Sequence, residues 1–331
     1  MRDERLPSVA VSVVKDGVIV WEAAFGWANR EREVRATPHT PYSLASISKP
    51  FTATAVMKLA QAGRLHLDRP ANEYLGIGRI TPTAEASKAT VRRLLSHTAG
   101  LPLFYLEEPD PAVRRTADAI IAQYGILKHP PGRFVYSNLG YGILERIVER
   151  VSGASFEEYM RREVFEPLGL GGASVPLQRP DDAAIRYDAA QNPIAFFDLA
   201  HRGASSIYAS AHDLATFGMF HLKERRADFA ALLAFRTIDE MQRVHARRSD
   251  GRGYGLGWAI DEDEIGLRRV GHSGGMRGVA ASLRLFPSER LAIVVLTNTR
   301  SAAIDALADA VTDAALPHYY WRRRLARLAR W

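Results

Sequence analysis

Both ends of the chain read as β-strand and the middle reads as helix, and this arrangement narrows the possible folds more than any other feature. Near the start, Val9-Ala-Val-Ser-Val-Val14 is β-rich, Asp16-Gly17 is a hairpin turn signal, and Val18-Ile-Val-Trp21 resumes the strand. Far downstream, Gly278 to Leu285, the turn Pro287-Ser-Glu-Arg290 and Leu291 to Thr297 make a second strand–turn–strand unit. An alanine-rich helical stretch, Ser301 to Ala315, follows it. Helical periodicities fill the interval at Phe51–Ala62, Leu139–Val151, Phe156–Phe165 and Ala211–Leu222, the first two stopped by Gly63 and Gly153. The pattern predicts an α+β fold. One antiparallel sheet is built from both termini and flanked by helices, and a mostly helical lobe lies beside it. The expected units are residues 1–48 with 250–331 for the sheet and 49–249 for the helical part, with a site between them. The irregular stretch from Gly171 to Ser206 is expected to be a surface loop over that site.

Composition sets the outer limits. With 331 residues, 47% hydrophobic and 24% charged, the chain can bury a sizeable core. The lack of cysteine excludes disulfide scaffolds, thiol catalysis and thiolate metal sites. Ten histidines are scattered without His-Glu-x-x-His or ligand-spaced carboxylates, so neither a metal nor a cofactor is expected. Much of the net charge of +7 sits in the tail Trp321–Trp331, where Arg322, Arg323, Arg324, Arg327 and Arg330 have no acid among them. That tail is expected to be the solvated end of a final helix, and no aromatic-interleaved basic groove points to nucleic acid. The longest apolar run, Leu291–Leu296, is far short of a bilayer span. No charged-then-apolar leader precedes Leu6, so the expected place is the cytoplasm unless a leader was trimmed. Oligomeric state leaves no mark in the sequence.

A serine and a lysine three residues apart can form a nucleophile–base pair only where the backbone puts them on one face. Ser12 and Lys15 lie in a strand, where an odd separation sends side chains to opposite faces. Ser46-Ile-Ser-Lys49 opens the helix of Phe51–Ala62, where i and i+3 are neighbours, and Pro50 fits only a first turn. The positive end of the helix would favour an alkoxide on Ser46 and a depressed pKa on Lys49. The alternative is that Ser46 is an N-cap. Tyr136-Ser-Asn138 precedes the Leu139 helix, and its tyrosine and amide suit proton transfer and lysine orientation; a core tyrosine with an asparagine cap is the other reading. Gly271-His272-Ser-Gly-Gly275 leads into a strand, where a glycine-flanked N–H can serve as half of an oxyanion hole. It also matches the Gly-x-Ser-x-Gly nucleophile elbow, but an elbow needs a following helix and a later acid and histidine. Here the continuation is β-rich and only His318 lies downstream.

With Ser-x-x-Lys, Tyr-x-Asn and His-x-Gly in that order, the chain resembles the serine β-lactamase and penicillin-binding-protein superfamily. The class C β-lactamase branch, with its esterase and D-aminopeptidase relatives, is the nearest part of it. Family-like stretches at Leu94–Pro102, Pro167–Leu170, Gly203–Asp213 and Tyr254–Trp258 extend the resemblance from about Leu6 to Asn298. The resemblance implies Ser46 as acylated nucleophile, Lys49 as its base, Tyr136 as proton shuttle or deacylation base, and Asn138 as orienting amide. His272 falls where the family's third motif usually has lysine, with Gly274 beside it, and the N–H groups of Ser46 and Gly275 would form the oxyanion hole. Two departures bear on substrate. A histidine is largely neutral at pH 7 and draws a substrate carboxylate weakly, and Phe104 falls where class C enzymes carry a glutamine. Both point to carboxylic esters or small neutral amides, with at most weak β-lactam hydrolysis. The alternatives are a β-lactamase or D-aminopeptidase-type protein, or a penicillin sensor that acylates without turnover. The expected partner is a small-molecule ester, amide or β-lactam, with no cofactor, nucleic acid or membrane span.

Overall fold

The computed structural model describes residues 6–81, 83–104, 107–108, 116–224 and 232–328. Its centre is a nine-stranded antiparallel sheet in the order β10-β11-β12-β13-β14-β15-β1-β2-β3. These strands are β1 (Ser8–Lys15), β2 (Val18–Asn29), β3 (Val34–Arg35), β10 (Ala246–Arg247), β11 (Gly253–Tyr254), β12 (Ala259–Glu262), β13 (Arg268–Met276), β14 (Val279–Phe286) and β15 (Leu291–Thr297). Strand β1 lies between β2 and β15, with Val9 opposite Thr297 and Lys15 opposite Leu291, so the two ends of the chain close one sheet. The β1–β2 hairpin turns on Asp16 and Gly17, both at positive φ, as a two-residue type I′ turn requires.

Strands β14 and β15 are buried along their whole length, because helices cover both faces of the sheet. The alternation of side chains divides them. Val294, Leu296, Leu283 and Leu285 join Ala10 and Val14 in the large core, which includes Phe51 and Phe217 of helices Ser48–Gln61 and Ala211–His221. Ile293, Val295 and Phe286 join Val9, Val11 and Val13 under helix Ile304–Ala315. Truncating any one of the large apolar residues here to alanine costs ~2–5 kcal/mol.

Two short ribbons matter for the site: β4 (Tyr42–Ser43) pairs with β9 (Tyr208–Ala209), and β5 (Glu107–Glu108) pairs with β8 (Asp198–Leu199). A third joins β6 (Arg186–Tyr187) to β7 (Pro193–Ile194).

Three expectations need correction. The stretch Gly171–Ser206 is not a surface loop. Tyr187, His201 and Ala204 in it are fully buried, and it holds three of those ribbon strands and a short helix, Arg202–Ser205. The Gly271–Gly275 motif lies inside β13 rather than ahead of a strand. The basic tail is not merely solvated either. In helix Tyr320–Leu328, Arg323 is buried and pairs with Asp263, Asp313 (2.8 Å) and Glu264 (3.2 Å), while Arg327 also pairs with Asp313. Arg330 and most of the loop from Phe104 to Asp110 lie outside the described residues. Among the described residues, no helix is long and apolar enough to cross a membrane.

Candidate active site

Ser46 sits on a single 3₁₀ turn, Ala45–Ile47, which feeds directly into helix Ser48–Gln61. Its hydroxyl does not cap that helix: Ile47 is the N-cap residue and no side chain caps it. The preceding residue, Ala45, has φ +46°, a left-handed conformation that an alanine holds only when its surroundings impose it. Two contacts do so. Leu44 donates its N–H to the Ile207 carbonyl (2.9 Å), and the Ser48 hydroxyl accepts the N–H of Ile207 (3.0 Å).

One helical turn on, Lys49 is fully buried. Its Nζ lies within hydrogen-bond reach of Ser46 Oγ (3.1 Å), Asn138 Oδ1 (2.9 Å) and the Ala204 carbonyl (3.0 Å). Burial pushes its pKa well below the ordinary lysine value. In a neutral amine, two N–H groups can go to the asparagine and the carbonyl, which leaves the lone pair directed at the serine hydroxyl. The Ala204 carbonyl is held in turn: Thr52 Oγ1 donates to Gly203 O (2.6 Å), and Glu145 Oε2 accepts the Gly203 N–H (2.8 Å). Burial raises the Glu145 carboxyl to about 8, so it is largely neutral at pH 7.

The Tyr136 phenol lies near Ser46, which favours its ionised form, but burial outweighs this and raises its pKa well above the ordinary value, so it stays protonated. Its ring lies under Lys49, with Nζ 4.8 Å from the centroid. Ser137, not Asn138, is the N-cap of helix Asn138–Ser152, accepting the Gly140 N–H (3.0 Å). The Asn138 amide is therefore available, and its Nδ2 donates to Phe104 O (3.0 Å) while its Oδ1 meets Lys49. Phe104 reaches this position at φ +55°, and its ring packs on Tyr124 and His201.

His272 arrives from β13. Pairing with β12 ends at Gly271, whereas pairing with β14 continues to Met276, so one edge of residues 272–276 is turned away from the sheet ladder. Gly274 packs against the backbone just ahead of Ser46: a Cβ there would lie 2.1 Å from Leu44 O. Gly275, by contrast, faces open space. His272 Nδ1 lies 2.8 Å from its acceptor Ser273 O, and Nε2 accepts from Tyr254 Oη at 3.1 Å. The proton is thus on Nδ1 and the ring is neutral, with burial lowering its pKa to about 3 and Lys49 adding to the effect.

Ser46, Lys49, Tyr136, Asn138, His272, Gly274 and Phe104 therefore converge from four separate segments of the chain. Motif reading missed three contributors. The Ala204 carbonyl has no side-chain signature. Tyr254 fixes the tautomer of His272. His97, in the Leu94–Pro102 stretch, packs its ring tilted against Tyr136 (centroids 4.3 Å apart), accepts the Ser137 N–H on Nδ1 (3.1 Å), and keeps a buried Nε2 without a partner among the described residues.

Burial holds four histidines neutral: His201, His221 and His272 at about 3, and His97 well below its ordinary value. In the unfolded chain each titrates near 6.5. Above that pH they contribute nothing to the pH dependence. Below it the unfolded chain takes up protons that the folded one refuses, and stability falls as pH drops toward 3. The melting temperature should accordingly decline steeply between pH 6.5 and 4 in a thermal-denaturation series. A flat profile over that range would contradict the burial of these rings.

The model of the family described as Beta-lactamase matches residues 1–316. Penicillin-binding protein 4 of Amycolatopsis lactamdurans is 30% identical over 318 residues, covering 89% of this chain and 82% of that protein. Protein flp of Staphylococcus aureus (strain NCTC 8325 / PS 47) is 26% identical over 329 residues, 95% of this chain; the chain spans 64% of that relative's length. Among solved structures, a class C β-lactamase from Rhodobacter sphaeroides overlays with a TM-score of 0.80 at 23% identity, covering 95% of this chain and 96% of the other.

Proposed function

The chain belongs to the Beta-lactamase family, and from that premise we propose that it is a serine hydrolase working through an acyl-enzyme on Ser46, with carboxylic esters or small neutral amides as substrates. The observation that carries this reading is the buried Lys49 amine, 3.1 Å from Ser46 Oγ and anchored by Asn138 and the Ala204 carbonyl.

In the first step Ser46 Oγ attacks the substrate carbonyl carbon while its proton passes to Lys49 Nζ. The carbonyl oxygen takes up the negative charge, and the backbone N–H groups of Ser46 and Gly275 are its donors. Collapse breaks the bond to the leaving alcohol or amine, which receives the proton from Lys49 through the Tyr136 hydroxyl. Because burial keeps that phenol protonated, it serves as a relay rather than as a phenolate base. Water then attacks the acyl carbon, with Lys49 and Tyr136 taking its proton and returning one to Ser46.

Two features favour uncharged substrates. A β-lactam brings a carboxylate, and at the third-motif position this chain offers a neutral histidine with both ring nitrogens engaged. Phe104 adds an aromatic wall beside Asn138. At most weak β-lactamase activity follows.

A substrate panel tests this: p-nitrophenyl butyrate, a D-amino-acid p-nitroanilide and a chromogenic cephalosporin. The ester should give a burst of about one nitrophenolate per chain and then steady turnover, with the cephalosporin much slower. Cephalosporin turnover outrunning the ester would replace this reading with that of a β-lactamase. A single stoichiometric cephalosporin burst without ester turnover would replace it with that of a penicillin sensor.

A further inference from the structure

Glu22, His39 and His212 are remote in sequence and meet at one place outside the candidate active site. Glu22 Oε2 lies 3.0 Å from His212 Nδ1, and Glu22 Oε1 lies 3.7 Å from His39 Nε2. One ligating atom from each residue lies within 4.8 Å of the other two. The two imidazole rings face each other, tilted, with centroids 4.5 Å apart. A hydrogen bond between Glu22 and His212 would need only those two side chains. It does not account for a second imidazole directed at the same carboxylate. One dication satisfies all three donors at once.

The spacing fits such an ion. Tetrahedral zinc, with bonds of ~2.0–2.2 Å to nitrogen and oxygen, holds its donors about 3.3–3.5 Å apart. The two carboxylate–imidazole separations, 3.0 Å from Oε2 and 3.7 Å from Oε1, involve different oxygens, and with a single oxygen as ligand every donor pair lies within 4.8 Å, against that tetrahedral value of about 3.3–3.5 Å. The two imidazole nitrogens must close by no more than about 1.5 Å to reach it. His39, with 65% of its side chain exposed, is free to make that movement and leaves a fourth position to water. Two imidazoles and one carboxylate suit zinc and its first-row neighbours rather than magnesium or calcium.

The backbone prepares the site. Thr37 donates its N–H to Thr40 Oγ1 (2.9 Å), which tightens the turn bearing His39, and His212 donates its N–H to Pro38 O (3.2 Å). His39 lies three residues before β4 and His212 three residues after β9, so they occupy the open end of the ribbon whose other end leads to Leu44 and Ser46. Glu22 projects from β2 of the main sheet. The geometry points to a site for one zinc-type divalent cation, held by Glu22, His39 and His212, that pins the β4–β9 ribbon to strand β2. The site is independent of the substrate assigned to Ser46.

Calorimetric titration of tag-free, chelator-stripped full-length protein with Zn²⁺ tests it. We expect one ion per chain, affinity at least tenfold weaker in His39→Ala and in Glu22→Gln, and a zinc-edge anomalous peak between the three side chains in crystals. Zinc should raise the melting temperature of the parent and not of His39→Ala, whose exposed ring can be removed without unfolding the chain. Parent-like zinc affinity in His39→Ala, no zinc uptake by the parent, or an anomalous peak elsewhere would overturn the assignment.

Discussion

Lys49→Met is expected to slow acylation of Ser46 by about 10²–10⁴-fold, the contribution of a positioned general base. Methionine nearly matches the length of the lysine stem and avoids burying a charge, so the helix should stay folded. What disappears is the only nitrogen within reach of Ser46 Oγ among the described hydrogen bonds, along with its links to Asn138 Oδ1 and the Ala204 carbonyl. The pH profile supplies a second signature. Burial lowers the pKa of Lys49, so a growing fraction is free amine as pH rises through that lowered value. The acylation rate should climb with pH and level off at pH values where an ordinary lysine would still be charged. His272, already neutral above about 3, adds no second limb between pH 5 and 8. Stopped-flow burst kinetics with p-nitrophenyl butyrate from pH 5 to 10 would measure both effects. An unchanged burst rate in Lys49→Met would remove lysine from the mechanism.

The second large effect concerns a residue with no side chain. Gly274→Ala would place a methyl 2.1 Å from Leu44 O and 3.1 Å from Leu44 C. Both are backbone atoms, so neither can swing aside; either β13 or the turn carrying Ser46 must shift. Such overpacking costs ~1–3 kcal/mol. A displacement of about 1 Å at a reacting group costs on the order of 10²-fold in rate. Both losses are expected together, read as a drop in melting temperature and in kcat/KM for the ester. Gly275→Ala is the matching control for stability, because its methyl would meet nothing within 4 Å and the melting temperature should not change. If Gly274→Ala melted like Gly275→Ala, the close docking of β13 on the Ser46 turn would be wrong.

Much of this arrangement is legible in the amino-acid sequence, for identifiable reasons. Hairpin chemistry at Asp16-Gly17 and the apolar runs of β14 and β15 are local signals, and they suffice to place one sheet across both termini. Ser46 and Lys49 are readable because i, i+3 spacing at a helix start fixes their proximity whatever the rest of the chain does. Tyr136 and Asn138 join them across about ninety residues, which only the Tyr-x-Asn pattern and the family resemblance could anticipate. The stretch Gly171–Ser206 looked like loop because its strands are two residues long and carry no periodicity. Its burial comes from tertiary contacts, such as Tyr187 Oη to Glu31 and Gly203 N to Glu145. The tail arginines looked solvated because their acids, Asp263, Glu264 and Asp313, lie outside the tail. Glu22, His39 and His212 escaped notice for the same reason, since ligand spacing in sequence detects only sites built on one local element.

Intact-mass analysis after quenching the reaction with a p-nitrophenyl ester, followed by peptide mapping, tests the assignment of the nucleophile most directly. The predicted result is one acyl group per chain on the peptide containing Ser46, and neither adduct nor turnover in Ser46→Ala. An adduct on any other residue, or ester hydrolysis by Ser46→Ala at the parent rate, would contradict it.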